Sequence, residues 1–188
     1  MSKIDNIFKT VDWIKRDVSN CGRGFRPLKK HFPISTFEHS ESSFKAISVI
    51  RIYKTNKPVK SGENGIGVNG FGYLLPGRRV LIYNLKDGIY EFNEIKEVKN
   101  VNDGYLLSEP LKNDYPTGSN LATIREVQYR FFDDEKVLKR KFDWGDFVPM
   151  LENVDDFFIK YFPESESVLY QIEGEGDSVR GYVYLTHN

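Results

Sequence analysis

An apolar stripe with helical spacing near the N-terminus is the feature that most limits how this chain can fold. Within residues 3–19, apolar side chains recur every three or four positions, which places them on one face of a helix. The members of this stripe are Ile4, Ile7, Phe8, Val11, Ile14 and Val18. Gly22 and Gly24 follow, and glycine commonly ends a helix. The pattern predicts a helix over residues 3–19 whose stripe packs across one face of a sheet.

Strand patterns dominate the rest of the sequence. Residues 23–72 are predicted to be irregular, with one buried strand in the β-branched segment AISVIRIY at 46–53. From residue 73 to 188, short alternating segments are separated by glycine, proline, asparagine and aspartate, as in antiparallel strands. The prediction is a single globular domain of class α+β, with a helical segment at 1–22, a loop region at 23–72 and an antiparallel β region at 73–188.

Composition excludes several classes of function. The chain has 188 residues, enough for one domain with a sizeable core. The 27 basic residues balance 27 acidic ones, so no overall field attracts nucleic acid or an anionic membrane. The single cysteine excludes an internal disulfide framework and a cysteine-rich zinc site. No apolar run approaches the roughly 20 residues of a membrane helix, so we expect the chain as given to be soluble.

Cys21 is the one candidate nucleophile, with His31 and His39 downstream. No spacing typical of a catalytic triad surrounds it. Free cysteines are commonly small packing residues, so we interpret Cys21 as packed at the helix end. We therefore predict no catalytic residue.

Clustered carboxylates favour calcium, and two acidic pairs occur, Asp133-Asp134 and Asp155-Asp156. Neither has the ligand spacing of a calcium loop, so we interpret the first pair as a turn and the second as the entry to a strand. The three histidines are scattered, which argues against a metal site. We predict no metal and no cofactor.

Two further segments raise alternatives that involve phosphate groups. GENGIGVNGFG, residues 62–72, is rich in glycine, but a dinucleotide-binding loop needs a helix after it and an extended segment follows here. VLKRK, residues 137–141, together with Tyr129, Phe131 and Phe142 has the charge and aromatic content for single-stranded nucleic acid. Alternating basic residues on a strand are more often its solvated face, so no nucleic acid is expected as a partner.

The order of these segments resembles the globular region of type IV pilin-like proteins, in particular PilW-like minor pilins and the minor pseudopilins of type II secretion. The resemblance extends over residues 11–185, and Cys21-Gly22 occupies the helix end, where the family commonly has Ala-Gly. The matching positions are Pro76-Gly77, Val98 and Val101, Tyr115-Pro116-Thr117-Gly118-Ser119, Val127 and Tyr129, Leu138 and Arg140, Leu151-Glu152-Asn153-Val154, and Phe158 with Tyr161.

The resemblance implies a non-enzymatic minor pilin or pseudopilin subunit that primes or caps a filament. Its partners would be other pilin or pseudopilin subunits, and the full-length protein would lie in the cell envelope. Residues 1–22 would be the C-terminal half of the pilin helix. We therefore expect the gene to encode about 25 to 30 further N-terminal residues forming an apolar, membrane-crossing helix.

Val127, Tyr129 and Phe131 alternate with polar residues and are followed by the acidic turn DDE, which predicts a hairpin over 127–141. The resemblance adds an ENV turn at 152–154 that leads into the aromatic strand FFIKYF. Because side chains alternate between the two faces of a strand, Phe157 and Ile159 lie opposite Phe158. The predicted partner surface comprises Phe157, Ile159 and Tyr161, with Asn69 and Phe71 from the loop at 56–72.

Two other functions remain open from the sequence. Strand series of the form V-x-x-V…L…PL…YP-x-G-S also occur in phage particle proteins, so the runner-up is a virion or tail structural module. The third hypothesis is a competence pilin that binds DNA, which salt-sensitive binding would identify.

Overall fold

A computed structural model gives the fold. It describes residues 3–70, 74–100, 104–174 and 176–185, apart from the side chains of residues 3, 4 and 100. The elements are α1 (Lys3–Ser19), α2 (Arg26–Lys29), β1 (Phe37–Ser40), β2 (Ser43–Lys54), β3 (Gly65–Ile66), β4 (Arg79–Asn84), β5 (Ile89–Asn100), β6 (Gly104–Leu107), β7 (Asn120–Phe132), β8 (Val137–Phe142), β9 (Val148–Glu152), β10 (Asp156–Phe162), β11 (Ser167–Gly174) and β12 (Asp177–Tyr184).

The described residues group into two compact units whose segments alternate along the chain. Unit 1 combines the described residues of Met1–Arg26, Ser35–Ser48 and Glu126–Asn188, whereas unit 2 combines Pro27–Ile34 with those of Val49–Arg125. The predicted boundaries at residues 22 and 72 do not coincide with these divisions. The region 23–72 also holds β1 and β3 in addition to the strand that the sequence predicted there.

Unit 1 contains two antiparallel sheets that share one core. In the first, strands follow the order β1-β2-β7-β8-β9, and in the second the order is β10-β11-β12. Aromatic rings join the two sheets, since Phe37 of β1 lies 5.5 Å from Phe44 and 5.4 Å from Tyr161 of β10, measured between ring centroids. Phe44 in turn stacks on Tyr129 at 4.7 Å. These rings supply much of the buried apolar surface of the unit.

The helix α1 has the predicted bounds, and Gly22 (φ 76°) and Gly24 (φ 77°) follow it in the left-handed conformation. Ile7, Val11, Ile14 and Val18 are buried in the core of unit 1. Phe8 is 54% exposed, so its place on the packing face is wrong, and the side chain of Ile4 lies outside the described residues. Helix geometry explains the exposure of Phe8. The four buried residues, at spacings of four, three and four, lie on one narrow face of the helix, and Phe8 points about 100° away from Ile7 around the helix axis.

The predicted α+β, pilin-like fold is wrong, because antiparallel strands make up most of the described chain. The helix also does not form a layer across one sheet. It packs mainly against β9 and β12, the outer strands of the two sheets of unit 1. The two sheets bury their apolar faces against each other. The helix stripe therefore packs at the edge of this core, between β9 and β12, and α1 covers that edge.

The predicted ENV turn is present and has a steric requirement. Asn153 adopts φ 57°, the Val154 amide donates to the Lys136 carbonyl at 2.9 Å, and the Asp155 amide donates to the Glu173 carbonyl at 2.7 Å. A Cβ atom on Gly174 would lie 2.6 Å from the Asn153 carbonyl oxygen. The turn therefore fits against β11 only because position 174 has no side chain.

Unit 2 is an antiparallel sheet with strand order β2-β7-β4-β5-β6-β3. Its core is separate from that of unit 1 and includes Ile66, Val80, Ile82, Leu107 and Tyr115. The strand predicted at 46–53 is confirmed within β2, but Ile50 and Ile52 are exposed rather than buried. Among the described residues, no helix is long and apolar enough to cross a membrane.

Candidate functional site

A buried ion pair joins the helix to the β7–β8 hairpin of unit 1. The Asp17 carboxylate, 9% exposed, accepts hydrogen bonds from Arg140 Nε at 3.0 Å and from the Tyr129 hydroxyl at 2.7 Å, and Arg140 Nη2 lies 2.9 Å from the same oxygen. Arg140, 15% exposed, also lies over the Trp13 ring at 4.7 Å. The geometry satisfies both charges.

Burial raises the pKa of Tyr129 well above its ordinary value, and the negative charge of Asp17 raises it further, whereas Arg140 lowers it. The hydroxyl therefore stays protonated and acts as a hydrogen-bond donor. Tyr129 is fully buried, so a substrate has no access to it. We interpret this network as a structural connection between α1 and the hairpin rather than as a reaction centre.

The outer side of the β10-β11-β12 sheet is an exposed aromatic surface. By the strand register, Lys160, Leu169 and Tyr182 form one row across the sheet, and Phe162, Ser167 and Tyr184 form the next. We define the aromatic face by its four rings, which are Phe158, Phe162, Tyr182 and Tyr184.

The rings of the aromatic face are accessible and partly preorganised. Tyr182 is 55% exposed and Tyr184 is 65% exposed. The Phe162 and Tyr182 ring centroids are 6.4 Å apart, and Lys160 Nζ lies 5.3 Å from the Phe162 centroid. Gly181 directly precedes Tyr182 and faces the core, where a Cβ atom would collide with the Tyr170 hydroxyl. The close contact between Gly181 and Tyr170 thus keeps this side of β12 toward the core and the side with Tyr182 and Tyr184 outward.

The predicted partner surface is largely wrong. Phe157 and Ile159 are buried in the core of unit 1, and Tyr161 is half-buried against it. In the register they oppose Ile172, Tyr170 and Val168, which are also buried, so this set of side chains forms the inner face of the sheet. Asn69 in unit 2 is exposed, and its amide donates to the Lys54 carbonyl at 2.7 Å. Phe71 lies outside the described residues.

A second surface of unit 1 is a groove of about 510 Å³ on the outer side of the first sheet. We define the polar groove by the lining side chains that point outward from β1, β2 and β7, together with one ring from the β8–β9 loop. They are Glu38, Ser40, Ser43, Lys45, Gln128, Arg130 and Phe147.

The charges in the polar groove are unevenly paired. Lys45 Nζ lies 2.5 Å from Glu38 Oε2, so this cation is largely neutralised. Arg130 takes part in none of the ion pairs formed among the described residues and lies 5.1 Å from the centroid of the Phe132 ring. The Phe147 ring is held edge-on to Phe132 with centroids 5.6 Å apart. Lys141, opposite Gln128 in the register, has its Nζ 6.0 Å from the Phe147 centroid. The groove thus has the available cation of Arg130 and, at its edge, that of Lys141 beside one fixed ring.

The nucleic-acid hypothesis combined the basic residues of VLKRK with three aromatic rings, and among the described residues the structure keeps only Arg140 near them, 5.8 Å from the Tyr129 centroid and 5.6 Å from the Phe142 centroid. Tyr129 and Phe131 belong to the core side of the hairpin, with Tyr129 fully buried. Lys139 and Lys141 alternate with Leu138 and therefore lie on the outer side. The Lys139 ammonium is paired with Glu135 at 2.7 Å. The proposed stacking surface is therefore not assembled.

The other candidate residues have structural surroundings. Cys21 is buried and its thiol donates to the Thr36 carbonyl at 2.8 Å, in line with a packing residue. Asp133 lies in the exposed turn of the hairpin, where its carboxylate binds Lys136 Nζ at 2.6 Å and raises the pKa of that lysine. Within the described ranges, no group of three or more His, Cys, Asp or Glu residues is arranged to hold a metal ion.

The densest polar contacts of unit 2 stabilise its loops. Glu91 accepts hydrogen bonds from the amides of Lys112, at 3.0 Å, and Asn113, at 3.4 Å. The Ser61 amide and the Lys60 ammonium bind Asp114, at 2.8 and 3.0 Å, and lower the pKa of its carboxyl. These carboxylates are engaged by the chain itself, which argues for loop anchoring rather than catalysis.

Comparison with known proteins assigns no family. No protein-family model and no curated protein matches the sequence. One solved structure, the phage phi92 endosialidase, matches with 12% sequence identity over 76% of this chain and 31% of that chain, at a TM-score of 0.27. The chain thus corresponds to about a third of that protein's length, and a TM-score this low carries no conclusion about fold or function.

Sequence reasoning missed the aromatic face and the polar groove for different reasons. The rings of the aromatic face alternate along FFIKYF and GYVY, so the signal was present, but both faces of β10 carry aromatic residues and the inward set was not distinguishable. The polar groove joins residues far apart in sequence, from Glu38 to Phe147, and no local pattern connects them.

Proposed function

We propose that this chain is a non-enzymatic structural module of a phage virion or tail, and that its aromatic face binds a neighbouring protein subunit of the particle. The observation that carries the proposal is the exposure of Tyr182 and Tyr184 beside Phe158 and Phe162 on one sheet face. Large exposed apolar patches on soluble proteins commonly mark binding surfaces.

The composition of the aromatic face suits a protein partner. Tyrosine, phenylalanine and arginine are enriched at protein interfaces, and Arg180 lies beside Tyr182 on the same side of β12. Tyrosine also loses little conformational entropy on binding, because its side chain has only two rotatable angles. A sheet with a full core beneath it presents these rings rigidly, which lowers the cost of association.

The helix argues against filament assembly by helix packing. Its apolar stripe from Ile7 to Val18 is buried in the core of unit 1, so the described side chains of α1 leave no second stripe to pack against the helix of a neighbouring subunit. The module proposed here instead binds through a sheet surface.

The segment from Val98 to Ser119 supports the assignment to a phage particle. It carries the strand series that also occurs in phage particle proteins, including Pro110-Leu111 and Tyr115-Pro116-Thr117-Gly118-Ser119. In unit 2 the loop of this series is anchored by Glu91 and Asp114, and Leu111 and Tyr115 enter the core. The series therefore specifies a compact loop between two strands.

The test is the protein content of particles purified from a strain that carries the gene. We expect mass spectrometry to find the chain at a fixed ratio to known particle proteins. In the variant with both Tyr182→Ser and Tyr184→Ser, we expect the chain to be lost from the particles while remaining folded in the cell. Phe8→Ser is the matched control, because it removes a ring of similar exposure from the same unit but outside the aromatic face.

Three results would contradict the proposal. The first is absence of the chain from purified particles, the second is equal incorporation of the double variant, and the third is an equal loss caused by Phe8→Ser. Recovery of the chain in a pilus or secretion filament would support the pilin assignment, which otherwise stays a prediction. Genes for capsid or portal proteins beside this gene would favour the phage particle.

A further inference from the structure

We propose that the polar groove of unit 1 binds an acidic polysaccharide, and that Arg130 binds the anionic group of one of its sugars. The proposal goes beyond the structural role above and does not depend on the aromatic face, which lies on the other sheet of the unit. It rests on the available cation, the hydroxyl and amide groups around it, and the ring beside it.

Arg130 is the residue that selects a charged ligand. Its guanidinium is exposed, belongs to no ion pair among the described residues, and has the planar fork that matches a carboxylate or sulfate group. It lies on β7 beside Gln128, two residues earlier on the same side of the strand. Gln128 Nε2 donates to the Glu126 carboxylate at 2.7 Å, which leaves its second amide hydrogen and its amide oxygen for a ligand. Together with the charged donors of Arg130, these groups can bind one anionic sugar.

The remaining lining suits the body of a sugar. Ser40 and Ser43 place their hydroxyl oxygens 2.7 Å apart at one side of the groove, where they can exchange hydrogen bonds with sugar hydroxyls. Phe147 lies at the other side, and its orientation is fixed by Phe132. A pyranose has polar edges and an apolar face, so a groove with hydroxyl groups on one side and a ring on the other matches both surfaces.

The distribution of charge favours a polysaccharide over nucleic acid. A nucleic acid carries one phosphate per nucleotide, and binding sites for it neutralise several phosphates at once. In the groove, Lys45 is paired with Glu38, and Glu38 itself would repel a second phosphate. On β8, next to the groove, Lys139 is paired with Glu135, whereas Lys141 Nζ lies 6.0 Å from the Phe147 ring centroid. The groove therefore offers two cations, Arg130 and Lys141, and several neutral hydrogen-bonding groups, which fits a sugar polymer with separated charges.

The experiment begins with a glycan array that carries carboxylated, sulfated and neutral oligosaccharides, with a single-stranded oligothymidylate as the phosphate probe. The purified full chain is applied, and the best-bound glycan is then titrated by calorimetry. We expect binding to acidic glycans and at least tenfold weaker binding to their neutral counterparts. Arg130→Gln should weaken binding by about tenfold or more, the loss expected for one charged hydrogen-bonded contact.

Two further variants keep the proposal falsifiable. Glu38→Gln releases Lys45 and should tighten binding to the acidic glycan by roughly two- to fivefold, the range of an exposed ion pair. Arg23→Gln is the matched control, because it removes an exposed arginine of the same unit that lines neither the groove nor the aromatic face, and it should leave affinity unchanged. Thermal unfolding of each variant checks that the fold is intact.

The opposing results are specific. The proposal is overturned if no acidic glycan of the array is retained, or if Arg130→Gln and Arg23→Gln bind equally well. It is also overturned if Glu38→Gln weakens binding. Tighter binding to the oligothymidylate than to every glycan would show that the groove serves nucleic acid instead.

Discussion

Removal of the Asp17 carboxylate is the sharpest test of how unit 1 is held together. Asp17→Ala leaves the Arg140 guanidinium, 15% exposed, without its ion pair and leaves the buried Tyr129 hydroxyl without its acceptor. Breaking one side of a buried ion pair typically costs about 3–5 kcal/mol. The contact between Arg140 and the Trp13 ring is present in both proteins and cancels in the difference. Because water can still reach part of the Arg140 side chain, we expect a loss at the lower end of this range, about 3 kcal/mol, in the free energy of unfolding of unit 1.

The assay is urea unfolding followed by tryptophan fluorescence. Both tryptophans of the chain, Trp13 and Trp144, belong to unit 1, so their emission reports this unit and not unit 2. Asp12→Ala is the control, because it removes an exposed carboxylate from the same helix and should change stability by less than about 0.5 kcal/mol. The double variant Asp17→Ala with Arg140→Met should recover part of the loss, since it removes the buried unpaired charge.

A loss below about 1 kcal/mol for Asp17→Ala would refute this reasoning, because it would place the ion pair in the range of exposed surface pairs. An equal loss for Asp12→Ala would refute it in another way, since the effect would then come from the helix and not from the buried network.

The remaining predictions concern the core, one close contact and pH. Val11→Asp should cost several kcal/mol because it buries an unpaired charge; thermal unfolding measures it, and an unchanged midpoint would show that α1 is not docked. Gly174→Ala should destabilise unit 1 by about 1–3 kcal/mol in the urea assay, because the new methyl group collides with the Asn153 carbonyl. The control is Ser178→Ala, on the exposed side of β12, which should leave stability unchanged. Gly176→Ala does not serve as a control, because its φ of 89° makes any side chain there strained. Because the pKa of Tyr129 is raised in the folded chain, mainly by burial, its contribution to stability is complete below about pH 10, the unfolded value, and is lost as the pH rises further. Tryptophan fluorescence should therefore show a fall in stability above about pH 10 that Tyr129→Phe reduces, and identical pH profiles would contradict this assignment.

Local patterns in the sequence predicted local structure well. The stripe from Ile7 to Val18 predicted the helix bounds, because each further apolar residue at a spacing of three or four strengthens the evidence for a helix. The hairpin of β7 and β8 also followed from neighbouring residues. In both cases the deciding interactions lie within about fifteen residues of one another. The turn at Asn153 was instead predicted through the family resemblance, and its contacts reach residues farther away, Lys136 and Glu173.

Features that depend on distant residues were not predictable. Whether Phe157 or Phe158 faces the core is decided by Ile172 and Val179, which are paired across β11 and β12. The α+β prediction was wrong for the same reason. A helix of this length can pack across the face of one sheet or between two outer strands such as β9 and β12, and its sequence does not distinguish the two arrangements. The polar groove needs β1, β2 and β7 side by side, and that arrangement has no signature in any single segment.

Because segments of the two units alternate along the chain, translation completes unit 2 before unit 1. All segments of unit 2 have been translated once residue 125 is made, whereas unit 1 still lacks β8 to β12 and most of its core. At about 5–20 residues per second, the last third of the chain takes roughly 3–12 seconds to emerge. During that time α1, β1 and the first half of β2 have no partner sheet, and the stripe of Ile7, Val11, Ile14 and Val18 is open to water. A nascent chain stalled near residue 125 should therefore be a substrate for chaperones that bind apolar helices, and its N-terminal segment should be cleaved by protease before Val49–Arg125.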